Sequence, residues 1–224
     1  MKEWQKLLLF LILFSSSLFG LRYWREHSPK AAVAHTDLKD SATSNTDSLM
    51  VDRWANLPGD TTERLVTISN HILDLLEKRD FNGIVEFVHP DSKLHFSPYA
   101  HLDNDQKSFS AKELKKIKVS DIYTWGAFDG SGDPITMSID AYFNRFVLDR
   151  PYIDSSQIVV NQIGGKGNSI DNLNDYFPNS LNVSYFVKGS ARYGEMDWRQ
   201  LKLAFEMKGN KVYLVAIVHD EWTV

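Results

Sequence analysis

The sequence predicts an α+β domain in which N-terminal helices pack on a curved antiparallel sheet. Three observations carry that prediction. Apolar residues from Leu65 to Leu76 recur at helical spacing, alternating strand-like runs are concentrated in the C-terminal third, and Lys208-Gly209-Asn210-Lys211 separates two long apolar runs as a hairpin turn does. Of the 224 residues, 43% are hydrophobic and 12% aromatic, enough for a substantial core. The expected organisation is a transmembrane or signal helix over residues 1–25, a flexible tether over 26–59, and one domain over 60–224.

The N-terminal segment is read first. Leu7 to Leu21 carries no charge, Lys2 and Lys6 precede it, and Trp4, Tyr23 and Trp24 stand at its ends. The uncharged run is about 22 Å long as a helix. From Trp4 to Trp24, with Lys6 and Arg22 reaching outward, it extends to about 31 Å, close to a bilayer core. Ser15 and Ser17 fit a signal-peptidase site, whereas Leu18, Phe19 and Leu21 continue the apolar run toward an aromatic belt. The reading is therefore a retained single-pass anchor, or a cleaved signal peptide, with the C-terminal domain outside the cytoplasm. The chain has no Cys, so neither a lipobox anchor nor a disulfide framework is available. His27 to Asp60 is polar and aperiodic, which gives the tether; Met50, Val51, Trp54 and Leu57 are candidates to dock on the domain.

Within the domain, Asp60 or Thr61 is placed to cap a helix bearing Leu65, Ile68, Ile72, Leu75 and Leu76 on one stripe, with Glu63 in its first turn. A second helix is predicted from Phe81 through Val88, ended by His89-Pro90 because proline disfavours helix at the residue before it. Lys93 to Tyr99 reads as a short strand. Ser110 with Glu113 forms a capping box opening a helix over Ala111 to Lys118. Ile122 to Phe128 reads as a strand, closed by the turn Asp129 to Pro134. Ile139 to Leu148 reads as a helix with Tyr142, Phe143, Phe146 and Val147 on one side, and Gly164 to Asn168 as a loop. Asn182 to Val187 alternates as a strand.

The final hairpin allows a register to be written. With Gly209-Asn210 as a two-residue loop, Met207 faces Val212, Phe205 faces Leu214, Leu203 faces Ala216 and Leu201 faces Val218, all apolar and all on one face. The same register sets Arg199 opposite Asp220 and Asp197 opposite Trp222, and puts His219 on the other face.

Helices followed by a bent sheet with one apolar face resemble the NTF2-like, cystatin-like cone, a sheet that wraps an N-terminal helix and often leaves a pocket. Local sequence adds a second resemblance. Phe96-Ser97-Pro98-Tyr99, Tyr123-Thr124-Trp125-Gly126 with Asp129-Gly130-Ser131-Gly132, Gly165-Lys166-Gly167-Asn168-Ser169-Ile170, Met196-Asp197-Trp198-Arg199 and His219-Asp220-Glu221-Trp222-Thr223 are similar, over roughly Leu65 to Val224, to a group of uncharacterised extracytoplasmic bacterial domains. That resemblance implies a location and a domain extent, and no catalytic residue can be transferred from it.

Arg199, Asp220, Asp197 and Trp222 are the candidate ligand-binding residues. They stand where the apolar hairpin face turns polar, and a guanidinium there suits a carboxylate or phosphate, while a closing structural ion pair is the competing reading. Tyr123, Trp125, Trp198 and Trp222 are candidates to stack on a sugar or apolar ligand. His89, His95 and His101 have no metal-ligand spacing, and Asp129 to Asp133 starts like a calcium loop but has Pro134 where a glycine is needed. No motif predicts a metal or cofactor, and a net charge of −4 argues against nucleic acid and against broad attachment to anionic lipid. The expected partners are the membrane, through the N-terminal segment, and a small ligand, envelope component or protein. The expected role is a non-catalytic binding module. The alternative is an NTF2-like hydrolase, dehydratase or isomerase with Asp197, Asp220 or His219 as acid or base in a pocket.

Overall fold

The computed structural model describes residues 61–155, 157–161, 169–209 and 211–223. The expected membrane segment, the tether and the Gly164–Asn168 loop lie outside the described residues. Among those described, no helix is long and apolar enough to cross a membrane.

The fold is α+β. Helix α1 (Thr61–Glu77) buries Leu65, Ser69, Ile72, Leu73, Leu75 and Leu76, the stripe that helical spacing requires. It ends in a Schellman turn. Arg79 takes a left-handed φ of 55°, its amide donates to the Leu76 carbonyl, and the Asp80 amide donates to the Leu75 carbonyl. Asp80 then caps α2 (Phe81–Val85) by accepting from the Gly83 amide at 3.0 Å. The expected continuation of α2 to Val88 gives way to turns, and Val88 makes a single parallel bridge to Leu214. Strand β1 (Leu94–Ser97) and the two-residue β2 (Ser108–Phe109) follow. The short helix α3 (Ala111–Leu114) opens with both halves of the Ser110–Glu113 capping box formed.

A hairpin of β3 (Ile122–Ala127) and β4 (Pro134–Ser138) forms a separate two-stranded sheet. The expected helix after it is a single α turn, α4 (Ile139–Tyr142), continued by a π-helical turn over Phe143–Val147. Tyr142, Phe143, Phe146 and Val147 are all buried, as their spacing predicts. The chain then runs through β5 (Gln157–Val160), α5 (Leu173–Tyr176), β6 (Leu181–Val187), β7 (Arg199–Lys208) and β8 (Lys211–Glu221).

The main sheet is open and six-stranded, in the order β2-β1-β8-β7-β6-β5. All pairs are antiparallel except β1 with β8, which is parallel. Its inner face meets α1 and the π turn over an aromatic core. The Trp125 and Tyr142 rings stack at 3.9 Å and 9°, Phe96 contacts Phe109, Trp125, Tyr142 and Phe143, and the Trp125 indole N–H donates to the Met137 carbonyl at 3.0 Å. A smaller apolar layer of Leu102, Leu173, Phe177, Ala204, Val215, Ala216 and Val218 covers the outer face.

The β7–β8 register corrects the sequence reading. Met207 pairs with Val212 and Phe205 with Leu214, as expected, but a bulge follows and Ala204 pairs with Ala216. Val215 and Ala216 both join the outer layer, so everything beyond slips by one residue. Leu203 pairs with Ile217, Lys202 with Val218, Leu201 with His219, and Arg199 with Glu221 rather than Asp220.

Candidate functional site

The slip decides which charges meet. On β7 the inner-facing positions are Phe205, Leu203, Leu201 and Arg199, and on β8 they become Leu214, Ile217, His219 and Glu221. Arg199 therefore enters the inner end of the sheet beside Glu221, and all three of its guanidinium nitrogens are engaged. Nε donates to Asp149 Oδ2 at 2.9 Å, one terminal nitrogen lies 2.9 Å from Glu221 Oε2, and the other donates to the Trp198 carbonyl at 2.9 Å. Arg145, from the π turn, meets Glu221 from the other side at 2.5 and 3.2 Å. Its guanidinium also covers the Phe146 ring at 4.4 Å.

Asp149 is the hub of this cluster. Burial works to raise its pKa, but the hydrogen bond and charge of His219, the Tyr152 hydroxyl donating at 2.6 Å and the Arg199 charge bring it down to about 2. His219 is buried between Phe146 and the Pro98 carbonyl. That carbonyl only accepts, so Nδ1, 2.9 Å away, carries a proton, and Nε2 lies 3.5 Å from Asp149 Oδ2, toward which it is a donor only in the doubly protonated imidazolium. The arrangement locks the ends of β7 and β8 to the π turn and to the Tyr152–Asp154 turn.

Asp220 lies on the outer face. Ser169 donates to it at 2.7 Å, while its neighbour Lys202, 3% exposed in its side chain, reaches Asp171 at 2.5 Å. Burial raises the Asp220 pKa, and Ser169 and Lys202 only partly offset that. Together these contacts pin the Ser169–Tyr176 segment to the sheet. The Asn172 side chain adds a two-way bridge to the Leu102 backbone, 2.7 and 2.9 Å long.

The other three candidates come together. Asp197, Arg199 and Trp222 line one shallow hollow of about 510 Å³ with Arg192, Tyr193 and Met196. Tyr193 is 53% exposed, Met196 49% and Trp222 40%, an apolar group that the described part of the domain leaves open. A tight loop presents it. The Ser190 amide and hydroxyl donate to Asp197 at 2.6 and 3.0 Å, and the amide is the main reason that the Asp197 pKa lies below its ordinary value. Gly194 and Glu195 take left-handed φ values of 59° and 63°. At Gly189 a side chain would meet the Glu195 carbonyl oxygen at 2.2 Å, so only glycine allows the loop to close.

The wider aromatic set is dispersed. Trp125 is core, Trp198 stacks on Phe186, and Tyr123 sits under the Lys107 ammonium, which leaves Trp222 as its exposed member. His89 and His95 contact Tyr213 and Phe177 respectively, and among the described residues no group of three or more His, Asp or Glu side chains could hold a metal. In the Asp129–Asp133 turn, Asp129 and Ser131 accept from the Gly130 and Asp133 amides, closing the hairpin. Two other concavities are present. One, of about 410 Å³, lies along Leu148–Asp154 against Leu73 and Glu77, and one, of about 520 Å³, includes Tyr99, His101, Phe128 and Ser169. Sequence reasoning missed Asp149, Arg145 and Asp171. Each sits outside the strands, Arg145 among the buried Phe143, Phe146 and Val147, and its ion-pair partner is 31 or more residues away.

No protein-family model matches the chain, and no curated protein matches it.

Proposed function

We propose that this chain is a non-catalytic binding module, anchored in or exported across a membrane by its N-terminal segment, that takes an apolar-faced envelope ligand on the Tyr193–Met196–Trp222 hollow. The observation that carries this reading is the exposure of those three side chains at the mouth of a fixed loop, beside a cluster whose charges are already matched. A flat sugar face or an apolar side chain fits such a surface, with Arg192 and Asp197 at the rim to orient polar groups. Arg199 supports the platform, each of its three guanidinium nitrogens already holding a partner.

The NTF2-like cone is kept as part of this proposal, on the packing of α1 against one face of an open sheet. An enzymatic role finds less support. The best-connected buried acid, Asp149, is held near pKa 2, the wrong direction for an acid or base at neutral pH. Asp220 is raised, but its carboxylate is engaged by Ser169 on the outer face of the sheet.

Titration of the full chain with solubilised muropeptides, followed by tryptophan fluorescence, tests this. With Trp4, Trp24 and Trp54 replaced by Phe, Trp222 should report binding, since Trp125 and Trp198 are 0% and 7% exposed. Trp222→Ala should remove the signal and the binding together and leave the melting temperature within about 1 °C, a surface substitution having little effect on stability. Muropeptide binding that survives in Trp222→Ala places the ligand elsewhere.

A further inference from the structure

A second surface lies around α3 and the start of β3. Lys112, Lys115, Lys116 and Lys118 are all exposed, and among the described residues none has an ion-pair partner. Lys112 lies within the α3 turn and Lys115 and Lys116 directly follow it, all exposed, while Leu114 between them is 1% exposed and faces the core. The two acids of the stretch are occupied. Glu113 accepts from the Ser110 amide and hydroxyl in the capping box, and Asp121 accepts from the Lys118 amide at 2.9 Å. Lys93 and Lys107 are near enough for their charges to act on Glu113, after the Ser110 contacts that dominate. Directly beside these cations stand two bare apolar side chains, Val119 at 42% exposure and Ile122 at 68%.

We propose that this lysine-flanked apolar edge docks on a bilayer carrying anionic lipid, with Val119 and Ile122 entering the headgroup region and the lysines holding lipid phosphates. Charge complementarity selects this partner. Unpaired cations around projecting aliphatic side chains suit a surface that is charged outside and apolar beneath, whereas an RNA or DNA strand would meet no exposed aromatic ring here to stack on. The overall charge of −4 makes the contact directional, because the rest of the domain is repelled by the same lipid. A segment such as Leu7–Leu21, expected to enter a membrane, would hold the domain near that lipid and raise its effective concentration. The whole-chain charge opposes broad attachment, and this surface is local.

The absence of cysteine makes the test direct. Ile122→Cys, carrying an environment-sensitive fluorophore, is compared with a label at the exposed control position, Asn179→Cys. Each labelled full chain is placed in nanodiscs of phosphatidylcholine alone or with phosphatidylglycerol, doped with a headgroup-quencher lipid. Co-purification with the discs reports N-terminal insertion, and quenching reports docking, so the two fail separately. A chain that stays in solution is read with the same labels against vesicles of the two compositions. The expected result is quenching at position 122 only, dependent on phosphatidylglycerol and lost in high salt. The docked-to-free ratio should fall roughly fivefold for each of Lys115→Gln and Lys116→Gln. Equal quenching in both lipids, equal quenching at both positions, or no response to the two glutamines overturns the proposal. A position-122 response to soluble polyphosphate as large as that to the discs would assign the surface to another anion and overturn it equally.

Discussion

Two buried carboxylates one sheet-thickness apart, Asp149 on the inner side and Asp220 on the outer, have had their pKa values moved in opposite directions. Burial acts on both to favour the neutral form. Asp149 has a hydroxyl, a guanidinium and an imidazole converging on it, and these outweigh burial. Asp220 has one serine hydroxyl and a lysine committed to Asp171, and burial prevails. The number and sign of convergent donors, more than depth, decide whether a buried acid helps the fold. The inner cluster therefore contributes to stability in its ionised form, while Asp220 is held in place by its surroundings at a cost.

The comparison is broken most severely by Arg199→Ala. It leaves Asp149 and Glu221, 10% and 7% exposed in their side chains, short of their shared cation. A loss of about 3–5 kcal/mol in urea denaturation is expected. A loss below about 1 kcal/mol would mean that the cluster is a solvated surface pair.

The acid limb of stability is the next largest effect. The folded pKa of Asp149, about 2, lies below its ordinary value of 3.8. Its contribution is complete above the ordinary value and is lost as pH falls through the folded one, a term on the order of 2 kcal/mol. Asp149→Asn should therefore flatten the fall in stability between about pH 4 and pH 2, measured as urea midpoints against pH. An unchanged slope would show that Asp149 ionises as freely in the fold as out of it.

Lys202→Met should cost less, about 1–2 kcal/mol, because Asp171 is 24% exposed in its side chain and water can take over from the ammonium. Asp220→Asn sharpens the contrast at the small end. The folded pKa is raised, so the wild-type contribution is most favourable below the ordinary value and is lost as pH rises through the folded value. The variant should be the more stable protein at neutral pH, by less than about 1 kcal/mol, with the advantage vanishing in acid. A variant less stable than wild type at neutral pH would show that Ser169 and Lys202 outweigh burial after all.

Much of the fold could be read from local rules. The α1 stripe, the Ser110 capping box, the β3 strand and the Met207–Val212 end of the last hairpin follow from spacing and turn chemistry within a few residues. Other features could not be read that way. Strict alternation puts Leu214 and Ala216 on one face, yet nothing in Ala204-Phe205 or Leu214-Val215-Ala216 marks a bulge, since all five residues are apolar and either face would accept them. One unmarked residue moved Asp220 to the far side of the sheet and brought Glu221 to Arg199. Pairing of β1 with β8 was equally hidden, because parallel neighbours have no turn between them to announce the contact. Of the candidate site, Arg199, Asp197 and Trp222 share a hollow because all three stand at or next to the paired ends of β7 and β8. Tyr193 and Met196 were missed because the loop carrying them depends on Gly189 meeting the Glu195 backbone, a three-dimensional contact.

The position of β8 bears on how this protein is made. Lys211–Glu221 is the last strand in the described chain, yet it lies in the interior of the sheet, with β1 on one side and β7 on the other. Until it arrives, β1 and β2 have no strand pairing that joins them to β5, β6 and β7, and the aromatic interior has half a wall. A chain threaded amino end first through a narrow channel, or emerging slowly from a ribosome, cannot close its sheet early. It stays compliant until β8 has emerged, the interval in which a holding chaperone would have the longest time to engage it.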